Sequence, residues 1–191
     1  GENVASNYAI EQGDLALSTN YTLVFTTGET FAITKKTVTV TPNEDQSKVY
    51  GENDPVFTYD FTPALIGTDA FTGVLSRVAG ENVASNYAIE QGDLALSANY
   101  TLVFTTGKTF AITKKTVTVT PKENQSKVYG ENDPVYTYDF SPALIGSDAF
   151  TGELDRVDGE SVNTYAIEQG TLALNDNYTL VFTTGKTFAI T

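Results

Sequence analysis

Apolar and polar residues alternate with a period of two along much of this chain. In Thr37-Val38-Thr39-Val40-Thr41 the valines project to one side and the threonines to the other. Tyr100, Leu102 and Phe104 form a second apolar set, Phe57, Tyr59 and Phe61 a third, and Phe110 and Ile112 a fourth. These residue types favour strands, and turn signals separate the runs: Pro42-Asn43, Gly51-Glu52-Asn53-Asp54-Pro55, Gly67-Thr68-Asp69 and Thr106-Gly107-Lys108. No stretch carries an apolar stripe of helical period and length. The pattern predicts an all-β chain.

The pattern also recurs. GENVASNYAIEQGDLALS begins at Gly1 and again at Gly80, and a shortened GESVNTYAIEQGTLAL begins at Gly159. A period of about 79 residues is too long for a solenoid unit and suits a small domain that folds alone. KKTVTVTP opens at Lys35 and Lys114, and the chain ends on FAIT, the residues that precede KK in both earlier copies. Complete copies are therefore expected at 35–113 and 114–191, with 1–34 as the C-terminal part of a preceding copy; a phase starting at Gly1 and Gly80 is the alternative. About six or seven short strands per copy fit tandem small β-sandwich, Ig-like domains in an elongated array, with β-grasp-like repeats as the alternative. No spacer separates Ile112-Thr113 from Lys114-Lys115-Thr116, so a semi-rigid junction is expected.

Differences between copies map faces. Val74 becomes Glu153, Ser76 becomes Asp155, Ala79 becomes Asp158 and Asp93 becomes Thr171, while Phe71 and Leu75 persist as Phe150 and Leu154. A charge replaces an apolar residue only on a solvated face, so a half-buried strand is predicted there.

Composition excludes more than it offers. The chain has no Cys, His, Trp or Met and a formal net charge of −13. Disulfides, thiolate nucleophiles, most zinc sites and His-based acid–base chemistry are thereby removed, and no phosphate-binding glycine loop is present. No catalytic or metal residues are assigned, and no binding residue is identified. The acidity opposes contact with nucleic acid and with anionic membranes. No signal peptide or membrane-spanning run is present, and the missing Met leads us to expect an internal piece of something longer.

Each copy runs TVTVTP, then SKVYGENDPVFTY or SKVYGENDPVYTY, ALIG, GTDAFTG or GSDAFTG, and LSR or LDR, then NYAI or TYAI, EQG, LAL, NYTLVF and TFAIT. The order resembles the MBG domain of the YGX type, a repeat of large bacterial surface and adhesin-like proteins. Its most specific part is Tyr50-Gly51 and Tyr129-Gly130 with Asp54-Pro55 and Asp133-Pro134 behind. The resemblance implies a secreted, cell-surface, multi-repeat β protein and supplies no catalytic residues. The expected role is a stalk or spacer projecting an adhesive tip. Its partners are neighbouring repeats, and surface glycan or protein is met through other parts of the full protein. Weak multivalent glycan- or protein-binding modules, or a self-assembling fibre subunit, are the alternatives.

Several residues invite a sharper reading. Glu52, Asn53, Asp54 and their counterparts Glu131, Asn132 and Asp133 offer oxygens that calcium takes, although their spacing is not that of an EF-hand and a plain turn explains them. Calcium at domain junctions is thus the one cofactor worth testing; otherwise none is expected. Thr37–Thr41 resembles an ice-binding face but recurs only once per copy. Tyr50, Tyr59, Tyr87 and Tyr100 form either a sugar platform or core and corner residues, their alternation with apolar partners favouring the core. Phe57, matched by Tyr136, is expected to turn a ring edge to solvent. Lys36, Lys48 and Asn99 are raw material for an isopeptide crosslink, with nothing to place them together.

Overall fold

The computed structural model describes residues 2–191. The leading segment forms β1 (Ala5–Ala9) and β2 (Thr30–Ile33). The next stretch forms β3 (Lys36–Pro42), β4 (Ser47–Val49), β5 (Tyr59–Thr62), β6 (Ser76–Arg77), β7 (Ala84–Glu90), β8 (Tyr100–Phe104) and β9 (Thr109–Thr113). The last repeats the series as β10 (Lys115–Pro121), β11 (Gln125–Lys127), β12 (Tyr138–Ser141), β13 (Asp155–Arg156), β14 (Asn163–Glu168), β15 (Tyr178–Phe182) and β16 (Thr187–Ile190). The chain is all-β with tandem repeats. Among the described residues no helix is long and apolar enough to cross a membrane.

Two compact units divide the chain. One comprises Gly1–Glu44, Val56–Val78 and Ala88–Lys108; the other comprises Asp45–Pro55, Ala79–Tyr87 and Thr109–Thr191. In the second unit, β12, β10 and β15 form one sheet and β11, β16, β14 and β13 another. Each sheet mixes directions. β10 runs antiparallel to β12 and parallel to β15, while β16 runs antiparallel to β14 and parallel to β11. Val119 from the first sheet meets Ile167, Phe188 and Ile190 from the second, with Tyr136, Leu154 and Leu172 from the connections completing a sandwich-like core. Burying each such side chain is worth about 1.5–3 kcal/mol.

The first unit repeats the smaller sheet. β3 lies between antiparallel β5 and parallel β8, with Val38 and Val40 fully buried. Its β6 pairs antiparallel with the end of β7 at Ser76↔Glu90 and Arg77↔Ile89. β1 and β2 form a separate antiparallel pair.

Four sequence expectations need correction. The segment Asn20–Phe25 is no strand, although its twins are β8 and β15. Those twins are built as parallel partners of β3 and β10, and residues 1–34 contain no TVTVTP run to supply that partner. Tyr21 and Val24 stay exposed in consequence. The alternation at Phe71–Ser76 buries Leu75 and exposes Val74 as expected, but regular pairing is reduced to a bridge at Thr72↔Ala95 and the two residues of β6. Gly73, at φ +72°, breaks the run between them. Pro42 is a buried strand residue, and the turn falls later, where Asp45 takes φ +58°. Phe57 and Tyr136 are buried, so neither ring turns an edge to solvent.

Candidate functional site

Two arrangements stand out, a buried cation cluster inside the second unit and a clasp of asparagine and tyrosine side chains.

The cluster begins with Lys127 on β11. β16 alongside places this lysine over the core, and its side chain is 4% exposed. Its ammonium meets Asp133 and Glu160 at 2.6 Å each. Arg156 on β13, equally buried, takes both Asp133 oxygens through Nε (2.6 Å) and Nη2 (3.1 Å), and reaches Glu160 and the Gly159 carbonyl. Its guanidinium also lies over the Tyr165 ring. The Tyr136 hydroxyl donates to Asp133 at 2.6 Å, which is how a phenol fits where the preceding copy has Phe57. Bonds from Arg156 first, then Lys127 and Tyr136, hold the Asp133 carboxyl far below its usual range against the opposing effect of burial. Asp133 and then Glu160 raise the Lys127 ammonium, so it stays charged. The preceding copy repeats the core of this arrangement, with Lys48 bonded to Asp54 and Glu81. Burial pulls the Lys48 ammonium down, but the bonds to Asp54 and Glu81 outweigh it and the net shift is upward.

The GENDP carboxylates therefore divide. Asp54 and Asp133 turn inward to lysine or arginine, while Glu52 and Glu131 lie over the turn near the amides of Val49 and Val128. They do not converge on one point, and among the described residues no group of three or more acidic side chains is placed to hold a metal ion. A protein cation fills the place where calcium was considered.

The clasp occupies the second unit as well. Asn177, whose carbonyl holds the Lys115 amide, accepts the Val83 N–H on Oδ1 (2.8 Å) and donates from Nδ2 to Asn82 Oδ1 (3.1 Å). The Tyr178 hydroxyl donates to Asp148 (2.7 Å) and accepts the Ile145 amide (2.8 Å). Tyr50 then stacks edge-on against Tyr178, ring centroids 5.4 Å apart, and donates its own hydroxyl to the same Asp148 oxygen at 2.9 Å. Its amide is held by the Thr113 carbonyl. Gly51 follows so closely that a Cβ there would stand 2.4 Å from Ile145 Cδ1, and its φ is +84°. Only glycine meets both conditions without displacement. Tyr178 first, then Tyr50 and Asn175, hold the Asp148 carboxyl below its usual range, opposed by burial. Burial, helped by Asp148, pushes the Tyr178 hydroxyl up to about 12. Nothing in the clasp changes protonation near neutral pH, so its capability is mechanical: it fixes Tyr50, Gly51 and Val83 against the copy that follows them.

Half of the clasp recurs in the first unit. Asn99 accepts the Val4 N–H (3.0 Å) and donates to Asn3 (3.1 Å), and Tyr100 donates to Asp69 (2.6 Å) while accepting the Ile66 amide (2.9 Å).

The tyrosines considered as a sugar platform thus have separate tasks. Tyr50 and Tyr100 belong to the clasp residues, Tyr59 packs on Phe71, and the Tyr87 hydroxyl donates to the Asn82 carbonyl. The crosslink candidates are not brought together: Lys36 bonds the Ala64 carbonyl, Lys48 bonds carboxylates and Asn99 holds Val4. Thr37–Thr41 lies within β3, where Thr41 is bonded to Thr105. The sequence reading missed Arg156, Asp148, Asn177 and Ile145. For the last three the signal was present in the unchanged LIG-x-DAF and N-Y-T-L-V-F steps, which binary patterning reads only as turn and strand.

No curated protein and no solved structure is matched by this chain. The family model for the MBG domain (YGX type) matches it twice, over residues 38–110 and 117–188. Those matches span most of the sequence, and the chain belongs to the MBG domain family of the YGX type, in tandem copies.

Proposed function

We propose that these copies are structural spacers in the stalk of an extracellular bacterial surface protein, holding an adhesive tip away from the cell and performing no catalysis themselves. The observation that carries this reading is the clasp. The Tyr50 and Asn82 side chains and the Val83 backbone N–H of one copy are bonded to Asp148 and Asn177 of the next with no linker residues in between. A spacer needs its joints fixed, and this joint uses its recurring turn residues for contact with a neighbouring copy rather than for an open ligand site. The tandem family matches support the same reading, as does an acidic composition that keeps a long surface array soluble.

Small-angle scattering on the whole chain tests it. The wild type should give an elongated particle with a well-defined maximum dimension. A Tyr50→Ala/Asn177→Ala double variant should keep its β-type circular dichroism while its distance distribution broadens. A compact globule in the wild type would sink the spacer reading.

A further inference from the structure

Each complete copy contains an aspartate followed by a proline, Asp54-Pro55 and Asp133-Pro134. This pair makes a chemically labile backbone linkage. The aspartate carboxylate lies within reach of its own main-chain carbonyl carbon, so attack on it is intramolecular and needs no encounter. The proline nitrogen belongs to a tertiary amide and departs as a secondary amine once it takes up a proton. In the second copy the step balances as follows. A carboxylate oxygen of Asp133 bonds to the Asp133 main-chain carbonyl carbon. The bond from that carbon to the Pro134 nitrogen breaks, its electron pair stays on nitrogen, and nitrogen takes a proton from the medium. Water then opens the cyclic anhydride, restoring the side-chain carboxyl and leaving a new C-terminal one. One water is consumed, and nothing is oxidised or reduced.

Water and protons have access to this bond. The Asp133 side chain is 31% exposed, and a cavity of about 340 Å³ lies beside it, lined among others by Pro134, Tyr136, Glu153 and Asp155. What the fold withholds is an oxygen free to attack. Asp133 Oδ1 accepts from the Lys127 ammonium at 2.6 Å and from Arg156 Nη2 at 3.1 Å. Asp133 Oδ2 accepts from Arg156 Nε and from the Tyr136 hydroxyl, each at 2.6 Å. Both oxygens therefore sit in the guanidinium fork with a further donor apiece, and either must leave that fork before it can turn on the backbone. The preceding copy holds Asp54 by Lys48 at 2.7 Å, with Phe57 where Tyr136 donates.

We infer that Asp133–Pro134 is a latent self-cleavage site of the chain, kept whole by the four donors bound to the Asp133 carboxylate. The groups that face this carboxylate are Lys127 from β11, Arg156 from β13 and Tyr136 from its own loop; Glu160 bonds both cations, and Glu153 and Asp155 stand across the cavity. The cations that hold the carboxyl far below its usual range also keep it ionised in mild acid, where the proline nitrogen finds its proton. In acid, then, the donors alone separate a charged nucleophile from the bond behind it. The cluster restrains the backbone chemically as well as joining the loop to two strands.

The test holds the whole chain at about pH 4, near the ordinary carboxyl range, and follows intact mass over days. Scission yields Gly1–Asp133 and Pro134–Thr191, whose masses sum to that of the chain plus one water. Its rate is read relative to scission at Asp54–Pro55 in the same molecules, which cancels the general effect of acid. Arg156→Met should raise that ratio at least tenfold over the wild type. Leu172→Ala empties a core position of the same unit without touching the carboxylate, and it should leave the ratio near the wild-type value. Arg156→Met/Asp133→Glu should stay whole at this bond, since the longer side chain closes a larger ring less readily. A ratio unchanged in Arg156→Met, equal scission in Leu172→Ala, or scission that persists in the glutamate double variant would each overturn the inference.

Discussion

Gly51 and Gly130 hold the same place in successive copies and share a positive φ, +84° and +86°. Their surroundings differ: a Cβ on Gly51 collides with Ile145, and one on Gly130 meets nothing within 4 Å. Alanine at either position costs about 1–2 kcal/mol of left-handed strain. Gly51→Ala must also displace Ile145, so it should lower the melting temperature further than Gly130→Ala. In an Ile145→Ala background the two should converge, a double-mutant cycle that separates contact from backbone strain. Equal effects in the wild-type background would refute the close approach. The sequence announced a turn at both glycines, since Gly-Glu-Asn-Asp-Pro is turn chemistry wherever it occurs. It was silent on the neighbour, because Ile145 lies 94 residues further on and no local pattern encodes it. Tyr136 shows the same limit. Reading it beside Phe57 suggests an exposed ring edge, when the hydroxyl is in fact satisfied from within by Asp133.

Pairs of elements are joined here by charge as well as by hydrogen bonds. Asp133 links its loop to β11 through Lys127 and to β13 through Arg156. The folded Asp133 carboxyl lies below its unfolded value of about 3.9, so its contribution is complete above that pH and is lost as pH falls further. Lys127 is shifted upward, so its contribution is complete below about pH 10.4 and is lost as pH rises through the folded value. Melting temperature should thus be flat between about pH 5 and 9 and decline on both sides. Asp133→Ala at pH 7 should lower the melting temperature, but by less than the loss of a fully buried partner would, because the Asp133 carboxylate is partly solvated and Glu160 still faces both cations. It should also shallow the acid limb, and an acid limb of unchanged steepness would assign that limb to other carboxylates. Strand existence was legible from alternation in Thr37–Thr41 and Tyr100–Phe104. Strand partnership was not, and Asn20–Phe25 shows why: an identical pattern stays irregular where its parallel neighbour is missing. A chain extended ahead of Gly1 by a copy of residues 35–79 should convert Asn20–Phe25 into a strand, read as slowed amide exchange at Tyr21–Val24. Unchanged exchange there would mean that the partner is not what these residues lack.

Across the molecule, repetition was the most legible property, since near-identical runs at Gly1, Gly80 and Gly159 need no structure to be seen. What repetition conceals is that identical residues occupy different environments, as Tyr50 and Tyr129 do. The Ser47–Pro55 stretch has a dual attachment: Lys48 ties it to Glu81 of its own copy, while Tyr50 and Gly51 rest on the following one. That asymmetry gives the series a direction. When a copy opens, its successor loses the Tyr50 ring that packs on Tyr178 and the Gly51 that packs on Ile145, whereas the opening of a successor leaves the Lys48–Glu81 bond of its predecessor in place. Damage should accordingly travel toward the C-terminus and halt in the opposite sense, like a zip with one working end. Amide exchange on the extended chain would show it as faster opening downstream of a destabilised copy than upstream. Cleavage that removed a repeat from one end or the other would then weaken very different lengths of the chain, depending only on which terminus was cut.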